Sequence, residues 1–148
     1  MEIELKLLLA PADNAELRRH PLLAGVATRT QQLTAHYFDT PDLHLLRHGA
    51  GLRVRKEDGL WVQTMKAGGS VQSGLHQRNE WQGPVSRPWP QLGKLRKLIG
   101  NEQHWREVLS VKGLNDRLEA LFEVVVQREI WLLSYASSQI ELVLDCGH

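Results

Sequence analysis

The stretch GAGLRVRKEDGLWVQTMKA, residues 49–67, reads as two strands, 49–56 and 60–67, around a tight turn at Glu57-Asp58-Gly59. Glycine closes the turn where positive φ is wanted, the usual requirement of a short hairpin connection. Alternation then sorts the side chains by face. Arg53 and Arg55 share one side of the first strand, with Leu52 and Val54 on the other. On the second strand Lys66 shares its side with Thr64, Val62 and Leu60, and Trp61 points the opposite way. A cation on a largely apolar face costs free energy unless it has a partner, so Lys66 argues for a charged neighbour.

Working outward, most of the remaining chain keeps the same period of two. Residues 1–9 place Glu2, Glu4 and Lys6 opposite Ile3, Leu5, Leu7 and Leu9, and Pro11 ends the run. Asp13 can cap a short helix through Arg19, which Pro21 stops. Residues 30–39 form a strand closed by the turn Asp39-Thr40-Pro41-Asp42. Ala67-Gly68-Gly69-Ser70 and Ser73-Gly74 read as a flexible loop leading to a strand at about 76–82. A proline-bounded connection, 84–90, precedes helix-like spacing at 91–99, 101–109 and 115–121. Strands return at 122–133 and 139–145, joined by a turn at 135–138. Seven strands with helices in the connections predict one α+β domain, antiparallel, over residues 1–148. A strongly curved sheet or barrel would protect its edges.

The 148 residues suffice for one domain with a real core, and the balance of 42% hydrophobic to 24% charged residues is that of a globular chain. No apolar run approaches the roughly 20 residues that span a bilayer, so no membrane association is expected. The single cysteine, Cys146, excludes an internal disulfide and suggests a reducing, cytoplasmic setting. Net charge is +1, but residues 47–87 carry seven basic side chains against three acids, and the remainder carries 11 against 14. A nucleic-acid binder is more often basic throughout, so that class is disfavoured.

The polar strand faces hold functional charges rather than a neutral mixture. They include Arg78 with Glu80 (and His76 and Gln82), Arg128 beside Val124 and Val126, and Glu141 with Asp145. For a single strand, surface ion pairs worth about 0–1 kcal/mol would explain this. When four or five strands repeat the pattern against apolar opposite faces, a polar lumen is the better explanation. Arginine forks grip phosphate oxygens, and clustered carboxylates hold hard divalent cations, typically Mg²⁺ or Mn²⁺ when phosphates complete the shell. The combination points to a metal–polyphosphate complex.

Glu2-Ile3-Glu4-Leu5-Lys6 resembles the Glu-x-Glu-x-Lys signature of the CYTH superfamily, the triphosphate tunnel metalloenzymes. Tyr37-Phe38-Asp39-Thr40-Pro41, Leu52-Arg53-Val54-Arg55 and Thr64-Met65-Lys66 are similar to further motifs of that family, in the same order. Gly74-Leu75-His76-Gln77-Arg78-Asn79-Glu80 resembles the form found in its bacterial inorganic triphosphatases. Arg128-Glu129-Ile130-Trp131 and the strand from Ile140 to Asp145 continue the register. The resemblance implies an eight-stranded antiparallel tunnel that hydrolyses inorganic triphosphate to pyrophosphate and phosphate. Arg53, Arg55, Lys66 and Arg78 would bind phosphates. Lys6, near the scissile end, and Arg128 would take catalytic positions. Glu2, Glu4, Glu80, Glu141 and Asp145 would hold or position two Mg²⁺ or Mn²⁺ ions, one orienting the substrate and one activating water. Family members usually continue into a last strand bearing Glu-x-Glu-x-Glu. Residues 1–148 lack it, so a shortened CYTH domain is expected, with an open sheet edge where a homo-oligomer could pair. Two rival readings are cyclisation of ATP or hydrolysis of another nucleoside triphosphate, and a module that binds polyphosphate without turnover.

Other residues carry less. His36, His44 and His48 lack partners at zinc-site spacing. His76, on the face of Arg78, is a candidate substrate contact. Cys146 has no nearby base, and Gly68-Gly69-Ser70 lacks the lysine and following helix of a P-loop. Trp61, Trp81 and Trp131 alternate with charged residues and are assigned to packing. Lys94, Arg96 and Lys97 read as a solvated helix face.

Overall fold

The computed structural model describes residues 2–147, apart from the side chains of Glu2 and Val71. Seven strands are present: β1 (Glu2–Leu5), β2 (Thr28–Asp39), β3 (Ala50–Glu57), β4 (Leu60–Gln72), β5 (Leu75–Val85), β6 (Glu119–Tyr135) and β7 (Ser138–Gly147). Among the described residues, five short α-helices occupy the connections: α1 (Asn14–Arg18), α2 (His44–Arg47), α3 (Leu92–Ile99), α4 (Gln103–Leu109) and α5 (Leu114–Arg117). The strands are ordered β1-β5-β4-β3-β2-β6-β7, with antiparallel ladders. This is the α+β, antiparallel architecture expected from the alternation.

The chain forms two compact units. The first contains Met1–Lys6 and Thr34–Val124. Its core is the apolar face of β3, β4 and β5 (Leu52, Val54, Met65, Ala67, Val85) packed under Leu95, Ile99, Trp105 and Leu109 of α3 and α4. Trp61 and Trp81 pack against that core, as their parity required. Gln63 is fully buried and forms two hydrogen bonds with the backbone of Gln91 at the start of α3. Its Nε2 donates to the Gln91 carbonyl (3.1 Å) and its Oε1 accepts from the Gln91 N–H (2.9 Å). Gln63→Leu would fill the space but strand both groups, so we expect a loss of about 2 kcal/mol in urea unfolding. An unchanged unfolding midpoint would contradict that role.

The turn after β2 is organised by Asp39. Its buried carboxylate accepts from the N–H groups of Thr40 (2.8 Å), Leu45 (2.9 Å) and Leu46 (3.0 Å), which builds the single turn of α2. The Thr40 hydroxyl accepts from His44 N–H (2.9 Å) and donates to Asp42 (2.6 Å). That last bond, with Arg117 and Arg47 nearby, holds the Asp42 carboxyl below the ordinary carboxylate range.

The second unit contains Leu7–Leu33 and Val125–His148. Trp131 and Leu144, from one face of the β6–β7 ladder, pack with Leu23, Leu17, Val26 and Leu9. Arg18 on α1 forks onto Glu129, which projects from the same face of β6 as Trp131 (2.6–3.0 Å).

Four local expectations are revised. β1 stops at Leu5 rather than Leu9, because its partner β5 begins at Leu75, the residue opposite Leu5. Leu7 and Leu8 are exposed. The stretch 67–70 is not a flexible loop: β4 runs through it to Gln72, with a register shift between Ala67 and Ser70, and Ser73-Gly74 forms a tight turn. The helix expected at 115–121 spans only Leu114–Arg117, since Leu118 is already extended and β6 starts at Glu119. The one-turn helix α2 has no counterpart in the sequence expectations: Asp39 and Thr40 hold its N–H groups, and the His44 ring bonds the distant Val108 carbonyl at 2.9 Å.

Candidate active site

In an antiparallel ladder, residues directly opposite one another project from the same face. Glu4 lies opposite His76 on β5, and Arg78 lies opposite Glu2. Glu80 lies opposite Lys66 on β4, and Lys66 opposite Gly51 on β3. Arg53 and Arg55 lie opposite Thr64 and Val62, and also opposite Tyr37 and Ala35 of β2. One face of the first unit therefore collects Glu4, His76, Arg78, Glu80, Lys66, Arg53 and Arg55, behind the core that covers its reverse. The Glu2 backbone joins this ladder, but its side chain lies outside the described residues.

Contacts on this face run both between strands and along them. Glu4 Oε2 is 3.8 Å from Lys6 Nζ and 4.0 Å from Lys66 Nζ. Arg53 Nη2 donates to Thr64 Oγ1 at 3.4 Å, and Arg78 Nη2 donates to His76 Nδ1 at 3.4 Å. Arg55 Nε donates to Glu57 Oε1 at 2.8 Å. Glu57 was read as part of the turn; β3 extends through it, and its i+2 relation to Arg55 was the signal that placed it on the same face.

Two atoms here are buried without a hydrogen-bond partner: Glu4 Oε2 and Arg53 Nε. A buried polar atom left without a hydrogen bond costs roughly 1–3 kcal/mol, and such atoms call for a reason. The orphaned carboxylate oxygen has the chemistry of a hard-cation ligand, and the orphaned N–H that of a phosphate donor. No group of three or more His, Cys, Asp or Glu side chains suited to a metal occurs among the described residues. Mg²⁺ does not require one, because it is commonly held by one or two carboxylates with phosphate and water oxygens completing its shell. Glu4 fits that pattern.

In the second unit Arg128 lies opposite Asp145 and grips it with two bonds, Nε to Oδ1 and Nη2 to Oδ2, both 2.7 Å. Glu141 shares their face but is exposed and four residues from Asp145, about 14 Å along the strand. The structure thus brings Arg128 and Asp145 together and leaves Glu141 apart from Asp145.

Comparison with known proteins gives this arrangement a context. The CYTH domain model matches residues 1–147. An inorganic triphosphatase from Haemophilus influenzae is 34% identical over 150 residues, covering 99% of this chain. The chain spans 40% of that relative's length. A candidate adenylyl cyclase from Hippeastrum, described as having a dominant triphosphatase activity, superposes with a TM-score of 0.60 at 21% identity, over 100% of this chain and 80% of the other. A candidate adenylate cyclase from Bacillus halodurans gives a TM-score of 0.51 at 18% identity, over 96% of this chain and 76% of the other. At those identities the two structures speak to the fold. The family match covers nearly all 148 residues, and the chain belongs to the CYTH domain family.

Proposed function

We propose that the charged face of β1, β3, β4 and β5 binds a triphosphate together with a divalent cation, and that the chain hydrolyses inorganic triphosphate to pyrophosphate and phosphate. The observation that carries this is the pair of orphaned buried atoms, Glu4 Oε2 and Arg53 Nε, on a face that also holds Arg55, Lys66 and Arg78. The inorganic triphosphatase relative supports the choice of substrate.

In this reading Arg53, Arg55, Lys66 and Arg78 hold the phosphate chain and offset its charge. Guanidinium forks supply paired donors, and the lysine supplies a movable point charge. Arg55 would bind while held by Glu57, which limits the entropy lost on contact. Lys6, more exposed than Lys66 and close to Glu4, would stabilise charge at the terminal phosphoryl group. Glu4 and Glu80, with Glu2, would hold Mg²⁺ or Mn²⁺. When bound, the cation would neutralise phosphate oxygens and lower the pKa of a water for attack. Catalysis would be largely positioning and electrostatic, as in phosphoryl transfer generally. In the second unit Arg128 would take a phosphate once its fork with Asp145 exchanges partners, and Glu141 and Asp145, separated along β7, would each serve a cation singly rather than as a pair. A reducing, cytoplasmic setting is part of the same proposal.

Arg53→Ala tests this directly. Losing one charge-assisted donor is worth about 1.5–3 kcal/mol, so calorimetry should show tripolyphosphate binding weakened by about 10–100-fold in Mg²⁺. Chelation with EDTA should abolish orthophosphate release. Binding and turnover indifferent to both changes would refute the assignment.

A further inference from the structure

Glu4 and Lys66 should not meet in a flat sheet. Glu4 stands level with His76, Lys66 stands level with Glu80, and β5 lies between their strands. Flat geometry would separate them by about 10 Å across the strands and about 14 Å along them. Their charged ends nevertheless approach to 4.0 Å. The sheet must therefore bend toward this face between those two levels.

Midway between them, opposite Arg78, lies a shift in the β4–β5 register. Ala67 pairs with Asn79 and Ser70 with Gln77, so three steps on β4 match two on β5. This is a β-bulge at Gly68-Gly69, a device that bends a strand and increases its local twist. Both glycines have positive φ (64° and 84°). At Gly69 space is decisive as well: a Cβ there would lie 1.9 Å from the Gln77 carbonyl oxygen and 2.5 Å from Arg78 Cβ. The backbone of β4 is thus pressed against the root of the Arg78 side chain, and Arg78 is directed back along its own strand to His76.

We propose that Gly69 is a positioning residue: its bulge aims Arg78 at the phosphate and supplies the bend that brings Lys66 to Glu4. The functional half of this inference rests on the hydrolytic reading above; the geometric half does not. Two readouts separate them. The first is the Arg78 Nε–Hε resonance in nitrogen–proton NMR, assigned by its loss in Arg78→Ala. Gly69→Ala should displace it. Gly113→Ala, which strains the backbone in open space at the start of α5, should not. An Arg78 resonance unmoved by Gly69→Ala overturns the proposal, whatever the reaction.

The second is a double-mutant cycle on tripolyphosphate kcat/KM. Misplacing one binding group should cost about 100-fold in Gly69→Ala. Added to Arg78→Ala, the same substitution should cost less than about 10-fold, because the part of its effect that acts through Arg78 is already gone and only the Lys66–Glu4 part remains. Additive losses overturn the proposal. If the unmodified chain releases no phosphate, the hydrolytic reading fails and the resonance alone decides. Should Gly69→Ala not fold, deletion of Gly69 serves instead. It leaves a regular ladder from Trp61–Val85 to Gln72–Leu75 with the Ser73-Gly74 turn intact, and it must give the same displacement and the same non-additivity.

Discussion

Glu4→Ala is expected to lower orthophosphate release from tripolyphosphate by about 10²–10³-fold while leaving Tm unchanged or raised. The two effects diverge for one physical reason. Glu4 Oε2 is buried, accepts no hydrogen bond and faces two ammonium groups at 3.8 and 4.0 Å. Folding therefore desolvates a carboxylate oxygen without a hydrogen bond in return, and removing it relieves a cost that offsets the loss of two long, partly exposed ion pairs. The same oxygen is the best-placed hard-cation ligand on the face, so its loss should remove the cation together with the charge that keeps Lys6 and Lys66 in place. Glu4→Gln retains the shape and should lose nearly as much activity, since an amide oxygen is a poorer cation ligand than a carboxylate. Kinetics and thermal scans on both variants check this. A large drop in Tm with activity intact would make Glu4 a structural residue.

The opposite signature is expected at Asp39. Its carboxylate accepts three backbone N–H groups, at 2.8, 2.9 and 3.0 Å, and is 5% exposed. Asp39→Ala would leave those donors unmatched at about 1–3 kcal/mol each. A total loss of about 3–9 kcal/mol is expected, which for a chain of this size corresponds to a fall in Tm of roughly 10–30 °C. Asp39→Asn retains one acceptor oxygen and should lose roughly half as much. Asp39 stands beside the charged strands within a family motif, yet its hydrogen bonds show that it caps α2. Calorimetric scans of the two variants measure the effect; a change in Tm below roughly 3 °C for Asp39→Ala would contradict it.

What could be read from the sequence follows from how local each feature is. Parity within a strand is a two-residue property, so the separation of Arg53 and Arg55 from Leu52 and Val54, and of Lys66 from Met65, was visible directly. The Arg128–Asp145 pair was within reach too. A two-residue turn at Ala136-Ser137 sets Tyr135 opposite Ser138, and counting back from there places Arg128 opposite Asp145.

Features that depend on distant partners were not legible. The length of β1 is set by where β5 begins, and the His44 ring of α2 is held by the Val108 carbonyl 64 residues away. The Gly68-Gly69 bulge is concealed in the sequence for a different reason. Its composition is that of a loop, and only the ladder on both sides shows that the strand continues through it. Family motifs supplied the candidate list, but they did not say that Glu57 holds Arg55 or that Gly69 abuts Arg78.

The central claim is that these charges serve triphosphate hydrolysis. Its most direct test is phosphorus NMR of tripolyphosphate incubated with the chain and Mg²⁺. The account predicts that the tripolyphosphate resonances are replaced by those of pyrophosphate and orthophosphate, with no change when EDTA is present. Tripolyphosphate left intact in Mg²⁺, or lost equally with EDTA, would contradict it.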